Sequence, residues 1–128
     1  MNNRKIERIL KNITKDIQGQ EGYWQFKIND VILICVTDPR HNRMRVMSPI
    51  VEVNELNEEL KDAALTANFH TALDVKYAIS DAILWSVFMH PLKELTSTQF
   101  KDAVNQVYSA NTTFGTSFSS SDLVFVGK

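Results

Sequence analysis

The stretch YWQFKINDVILICVT, residues 23–37, governs how the rest of the chain is read. From Tyr23 to Ile28 the pattern has period two. Trp24, Phe26 and Ile28 point one way, while Tyr23, Gln25 and Lys27 point the other, as in a half-buried strand. Asn29-Asp30 is a two-residue turn, and both residue types tolerate the left-handed backbone that a tight hairpin requires. Val31 to Thr37 is the return strand. It is apolar on both faces, with Ile32, Ile34 and Val36 on one and Val31, Leu33 and Cys35 on the other. Such a strand needs a cover on both sides, from its own chain or from a partner.

Before the hairpin, residues 3–18 place Ile6, Ile9, Leu10, Ile13 and Ile17 on one face of a 3.6-residue period, which predicts an amphipathic helix ended by Gly19 and Gly22. Its other face is basic. After the hairpin, Asp38-Pro39-Arg40-His41-Asn42 is a turn. Arg43 to Met47 is a third strand, which Ser48-Pro49 is expected to stop. A second helix is expected from Asn54, as N-cap, to Phe69, with an acidic first turn. Asp74 to Ile79 and Ala82 to Met89 read as two strands joined at Ser80-Asp81. The third helix has the strongest start signal. Thr96 and Gln99 form a capping box, and Leu95 and Phe100 a hydrophobic staple. Ser119 to Ser121 reads as a flexible joint, and Leu123 to Val126 as a short extra strand or a tail. The predicted order is α-β-β-β-α-β-β-α. That is an α+β domain with a five-stranded antiparallel sheet covered by helices in two layers, or partly in three.

The chain has 128 residues, one domain's worth. Basic and acidic residues number 14 and 15, so the net charge of −1 argues against duplex DNA as a partner of the whole protein. Cys35 is the only cysteine, so no disulfide can form within the chain, and a reducing compartment is expected. No apolar h-region opens the sequence. The longest fully apolar run, Val31 to Val36, is far shorter than the roughly 20 residues of a membrane helix. A cytoplasmic protein with no membrane contact is expected.

Catalytic and metal-binding patterns are weak. His41, His70 and His90 lie in three separate connections with no metal-ligand spacing. Cys35 sits mid-strand among apolar neighbours, where a nucleophilic thiol is not expected. The four glycines form no phosphate-binding spacing. The basic run Arg40 to Arg45 lacks the aromatic interleaving of a nucleic-acid site. The expectation is therefore no catalysis, no cofactor, no metal and no nucleic acid. What remains is apolar: the second face of the 31–36 strand, Val51 and Val53, and the tail. Val31, Leu33, Cys35, Val51 and Val53 are the expected partner-binding residues.

The element order, with Leu65-Thr66-Ala67-Asn68-Phe69 and His90-Pro91-Leu92-Lys93-Glu94-Leu95-Thr96, resembles the type III secretion chaperone-like superfamily. That group includes the Tir-chaperone (CesT-type) proteins and the YbjN-type domains. The resemblance runs from about residue 3 to residue 114. It implies a small cytoplasmic bacterial homodimer, non-enzymatic, that holds an extended apolar segment of a secreted effector. In YbjN-type members it implies instead a regulatory module that binds a folded partner. By position in the family, the dimer contact would involve Leu65, Phe69, Val75 and Tyr77.

Overall fold

The 23–37 hairpin forms as its pattern predicts and seeds the sheet. In the computed structural model, which describes residues 1–121, β2 (Tyr23–Ile28) and β3 (Val31–Asp38) pair antiparallel with Trp24 opposite Cys35 and Phe26 opposite Leu33. Asn29 and Asp30 both take positive φ, which is the tight turn these residues permit. The other elements are α1 (Asn3–Ile13), β1 (Ile17–Gln20), β4 (Arg43–Glu52), a single 3-10 turn (Val53–Glu55), α2 (Glu58–His70), β5 (Lys76–Ser80), β6 (Ile83–His90) and α3 (Ser97–Thr112). They build one antiparallel sheet in the order β1-β2-β3-β4-β6-β5.

The sheet thus has six strands, not the five expected from sequence. The additional strand is β1, in a stretch whose Ile13-Ile17 spacing suits a helix. The helix ends at Ile13 because Thr14 turns extended. Its Oγ1 donates to the Lys27 carbonyl at 2.8 Å and accepts from the Asp16 amide at 3.1 Å. The chain then supplies the backbone partners that the edge of β2 lacks. Gly19 lies in this strand and does not end the helix. Its φ is +126°, and a Cβ there would collide with the Tyr23 carbonyl oxygen, so only glycine fits.

Two other boundaries move for related reasons. β4 runs through Ser48-Pro49: Pro49 keeps its place opposite Trp85, and a register shift that leaves Ile50 without a partner follows it before Val51. The sheet then holds the chain as far as Glu52, and the Val53 amide donates to the Ala82 carbonyl. The N-cap of α2 is accordingly Asn57, whose Oδ1 accepts from the Leu60 amide at 2.8 Å, and not Asn54. The capping box of α3 forms as expected, with Thr96 and Gln99 bonded reciprocally.

Among the described residues the buried side chains of the helices cluster with one face of the sheet. Ile6, Ile9 and Leu10 of α1, and Phe100, Val104 and Val107 of α3, pack in one core with Trp24, Phe26, Leu33, Cys35, Val46 and Phe88. Among the described residues every buried side-chain nitrogen and oxygen has a hydrogen-bond partner. Ser86 Oγ donates to the Val107 carbonyl, Tyr77 Oη to the Ala110 carbonyl, and Asn111 Nδ2 to Ser48 Oγ and the Pro49 carbonyl. The result is a two-layer α+β fold. The serine stretch is anchored: Ser120 is buried, its amide bonded to the Thr71 carbonyl and its hydroxyl to the Ala72 carbonyl. The expected strand Leu123 to Val126 lies outside the described residues.

Candidate protein-binding surfaces

Hairpin register determines which residues a partner can reach. With Trp24 and Phe26 under the helices, Leu33 and Cys35 are necessarily on the same side. Both are fully buried, which corrects the expectation that they meet a partner. Burial pushes the Cys35 thiol up to about 12. Val31, Val51 and Val53 are half-buried, and Val31 and Val51 pack against the same core. On the far side of β3 lie Ile32 and Val36, half-buried, and Ile34, buried between its neighbours.

Those three belong to a continuous outer face. One cross-strand row is Tyr23, Val36, Arg45 and Met89. The next is Gln25, Ile34, Met47, Val87 and Lys76, and the one after that includes Ile32, Pro49, Trp85 and Ala78. A shallow groove of about 450 Å³ crosses this face between Tyr23 and Arg45 at one end and Ser80 and Asp81 at the other. Tyr23 and Met89 are about half exposed, although large and apolar. Contiguous apolar surface of this kind marks an interaction site more often than plain solvent-facing surface. Sequence reading missed Met47, Trp85 and Val87, because their face is defined only once β4 and β6 are paired.

A second apolar patch lies where α2 meets the sheet edge. Leu65 and Phe69, one helical turn apart, are 68% and 67% exposed, and Ile79 of β5 is 53% exposed. Leu65 and Ile79 line an apolar groove of about 200 Å³ together with Leu56, Ala64 and Leu84. Of the four residues expected at a dimer contact, Leu65 and Phe69 are therefore accessible. Val75 and Tyr77 are buried in the subunit. Tyr77 packs edge-on against Phe114 and Phe118, and burial raises its hydroxyl to about 12.

Asn68, inside the Leu65–Phe69 motif, has a specific task. Its Oδ1 accepts from the Tyr77 amide at 2.8 Å and its Nδ2 donates to the Tyr77 carbonyl at 3.1 Å. One side chain thus occupies both backbone groups at Tyr77 in the outermost strand. It ties α2 to β5 and blocks strand addition there.

The three histidines lie apart from one another. His41 Nδ1 lies 2.8 Å from Asp38 on the surface, a hydrogen bond that draws the Asp38 carboxyl below its usual range. His90 Nδ1 bonds the Pro91 carbonyl, and His70 packs edge-on against Phe69. Asp74 and Asp102 line a polar cavity of about 320 Å³ with His90, and Gln106 Nε2 donates to both carboxylates. Among the described residues no group of three or more His, Cys, Asp or Glu is placed to hold a metal ion. No helix among them is long and apolar enough to cross a membrane.

The architecture is the type III secretion chaperone-like fold. The chain superposes on a chain of the ExsC–ExsE complex with TM-score 0.63 and 13% identity, covering 87% of this chain and 92% of that one. A chain of the HopA1–SchA chaperone–effector complex matches with TM-score 0.64 and 11% identity, over 88% and 94%. The complex of the Yersinia pestis type III secretion chaperone SycH with a stable fragment of YscM2 matches with TM-score 0.64 and 12% identity, over 88% and 98%. No family model and no curated protein matches the sequence.

Proposed function

We propose that this chain is a non-enzymatic, chaperone-like protein-binding domain. It works in the cytoplasm as a pair of identical subunits and holds an apolar, extended segment of another protein. The observation that carries the reading is the outer face of the sheet, apolar along β3, β4 and β6 and, among the described residues, without a helix over it. The α2–β5 patch supports it, because one subunit leaves two separate apolar surfaces to cover: one suits a second copy, the other a partner. The fold is shared with a chain of a chaperone–effector complex and with a secretion chaperone bound to a protein fragment, which supports a protein partner.

The blocking of β5 by Asn68 favours side-chain docking over strand addition at that edge. It also keeps a second reading in view, a YbjN-type regulatory module that binds a folded partner. Affinity capture followed by limited proteolysis separates the two. A partner that is digested except for one short protected segment supports the chaperone reading. A partner that survives as an intact globular domain supports the regulatory module. Recovery of a monomer whose outer sheet face and α2 patch exchange hydrogen identically with and without captured protein would sink both.

A further inference from the structure

We propose that the solvent face of α1 is a docking site for an acidic polypeptide segment, separate from both apolar surfaces and not required by the reading above. Arg4, Arg8 and Lys11 recur at i, i+4 and i+7, on the side of α1 opposite Ile6, Ile9 and Leu10, which are buried in the core. All three are exposed, and so is Lys5 beside them. Glu7 lies 3.7 Å from Lys11 through one oxygen, while its other oxygen accepts from Trp24 Nε1 at 3.2 Å. Among the described residues the side chains of Arg4, Lys5 and Arg8 make no ion pair and no hydrogen bond. This arrangement runs against the stability of the helix itself. Arg4 and Lys5 sit in the first turn, where the macrodipole favours anions, and no acidic residue accompanies them there. Helix α2 follows the ordinary preference, with Glu58 and Glu59 in its first turn. Cations placed against the dipole and left without partners in the subunit fit a surface that an outside anion completes.

The surroundings of the stripe select a polypeptide among anionic partners. The apolar side of α1 is committed to the core, so the helix cannot lay that side into a lipid surface. The two large exposed aromatics, Tyr23 and Phe69, belong to the outer sheet face and to α2, so neither lies on the stripe to stack on a base. From Arg4 to Lys11 the stripe rises about 10 Å, roughly the length of four extended residues. That is short for the several phosphate contacts through which a duplex is held. Arg4 and Arg8 present planar forks that match a carboxylate through two hydrogen bonds each. Arg4 also lines a cavity of about 420 Å³ together with Lys93, Pro39 and Leu92. Its one carboxylate, Glu21, accepts from Asn3 Nδ2 at 3.3 Å. An aspartate or glutamate entering from the stripe therefore meets a second cation and an apolar wall there.

Fluorescence anisotropy on the full chain, with a labelled oligoglutamate peptide as the probe, tests this. The peptide is expected to bind at low salt, with affinity falling about tenfold or more as ionic strength rises to ~0.2 M, while an oligoglutamine of the same length does not bind. Replacing the stripe (Arg4→Gln, Arg8→Gln and Lys11→Gln together) should weaken binding about tenfold or more. Removing the same charge elsewhere (Arg43→Gln, Lys61→Gln and Lys101→Gln together) should weaken it less than about twofold. Unchanged urea midpoints keep folding out of the comparison, and amide shifts on adding the peptide should cluster on α1 and around Lys93. Equal losses in the two triple variants would assign binding to diffuse charge and overturn the proposal. So would an oligothymidylate that outcompetes the peptide on the same residues, or sedimentation with phosphatidylserine–phosphatidylcholine vesicles, lost in the stripe variant, with no peptide binding. A peptide that does not bind at low salt overturns it outright. None of these results bears on the apolar surfaces, which the capture and proteolysis experiment decides by itself.

Discussion

The two faces of β3, β4 and β6 are built from the same alternation of apolar residues and meet opposite fates. The inner face carries Leu33, Cys35, Val46 and Phe88 and is closed by α1 and α3. Its polar interruptions, Ser48 and Ser86, are fully buried, and each is hydrogen-bonded to an adjacent element. The outer face carries Ile34, Met47, Trp85 and Val87. Its interruptions include Arg45 and Asp81, which make no ion pair among the described residues. Apolarity alone therefore does not separate core from interface. What separates them is whether helices of the same subunit close the layer.

The largest contrast between the faces should come from truncating one large side chain on each. Phe26→Ala should destabilise the fold by about 3–5 kcal/mol, the cost of a large cavity in a packed core, whereas Met47→Ala should cost the monomer less than about 1 kcal/mol. Urea titrations at dilute concentration check both. Similar losses at the two sites would remove the distinction between the faces.

Smaller effects probe the polar connections. Asn111→Ala deprives Ser48 Oγ and the Pro49 carbonyl of their donor beneath α3, and should cost about 1–3 kcal/mol. Asn68→Ala strips both backbone partners from Tyr77 at a solvent-accessible edge, where water replaces them, and should cost about 1 kcal/mol. Its signature is local. Amide exchange at Tyr77 should accelerate and match that of an open edge strand, without a comparable change at Phe88.

The smallest effect is alkaline. Cys35 has its folded pKa raised from 9.0 to about 12 by burial, and Tyr77 from 10.0 to about 12. Both are neutral below those values and anionic above, so the unfolded chain loses its protons first as pH rises. Their contribution is thus complete below pH 9 and declines from there to about pH 12. At pH 10 the loss through Cys35 is on the order of 1 kcal/mol. Cys35→Ala should flatten the first part of that slope in denaturation curves taken from pH 8 to 10. In the native wild type, a thiol reagent should label Cys35 no faster than the protein opens globally. Fast labelling would mean that the inner face is not closed.

Much of this fold was legible in the chain because the deciding signals are local. The alternation over Tyr23 to Ile28, the Asn29-Asp30 turn and the Thr96–Gln99 capping box each act within a few residues, and each forms as read. The sixth strand was hidden, because Ile17 continues a helical spacing that hydrogen bonds from Thr14 to Lys27 and Asp16 override. The choice of binding face failed for a different reason. A two-residue turn pairs Ile28 with Val31, and so places Leu33 and Cys35 beside Phe26 and Trp24. With Trp24 and Phe26 as core, Leu33 and Cys35 are committed to the core as well. That consequence was already contained in the turn length.

Local preference and composition were enough to specify the hairpin, the N-terminal cap of α3, the near-neutral charge and the surplus of apolar strand residues. Each of these depends on residues adjacent in the chain, or simply on their number. The folded chain alone established which side of β4, β5 and β6 the helices cover. It also established that Asn68 closes the β5 edge at Tyr77, and that arginines and carboxylates sit at opposite ends of one open face. Those outcomes depend on how strands far apart in the chain align, and no local preference encodes that alignment.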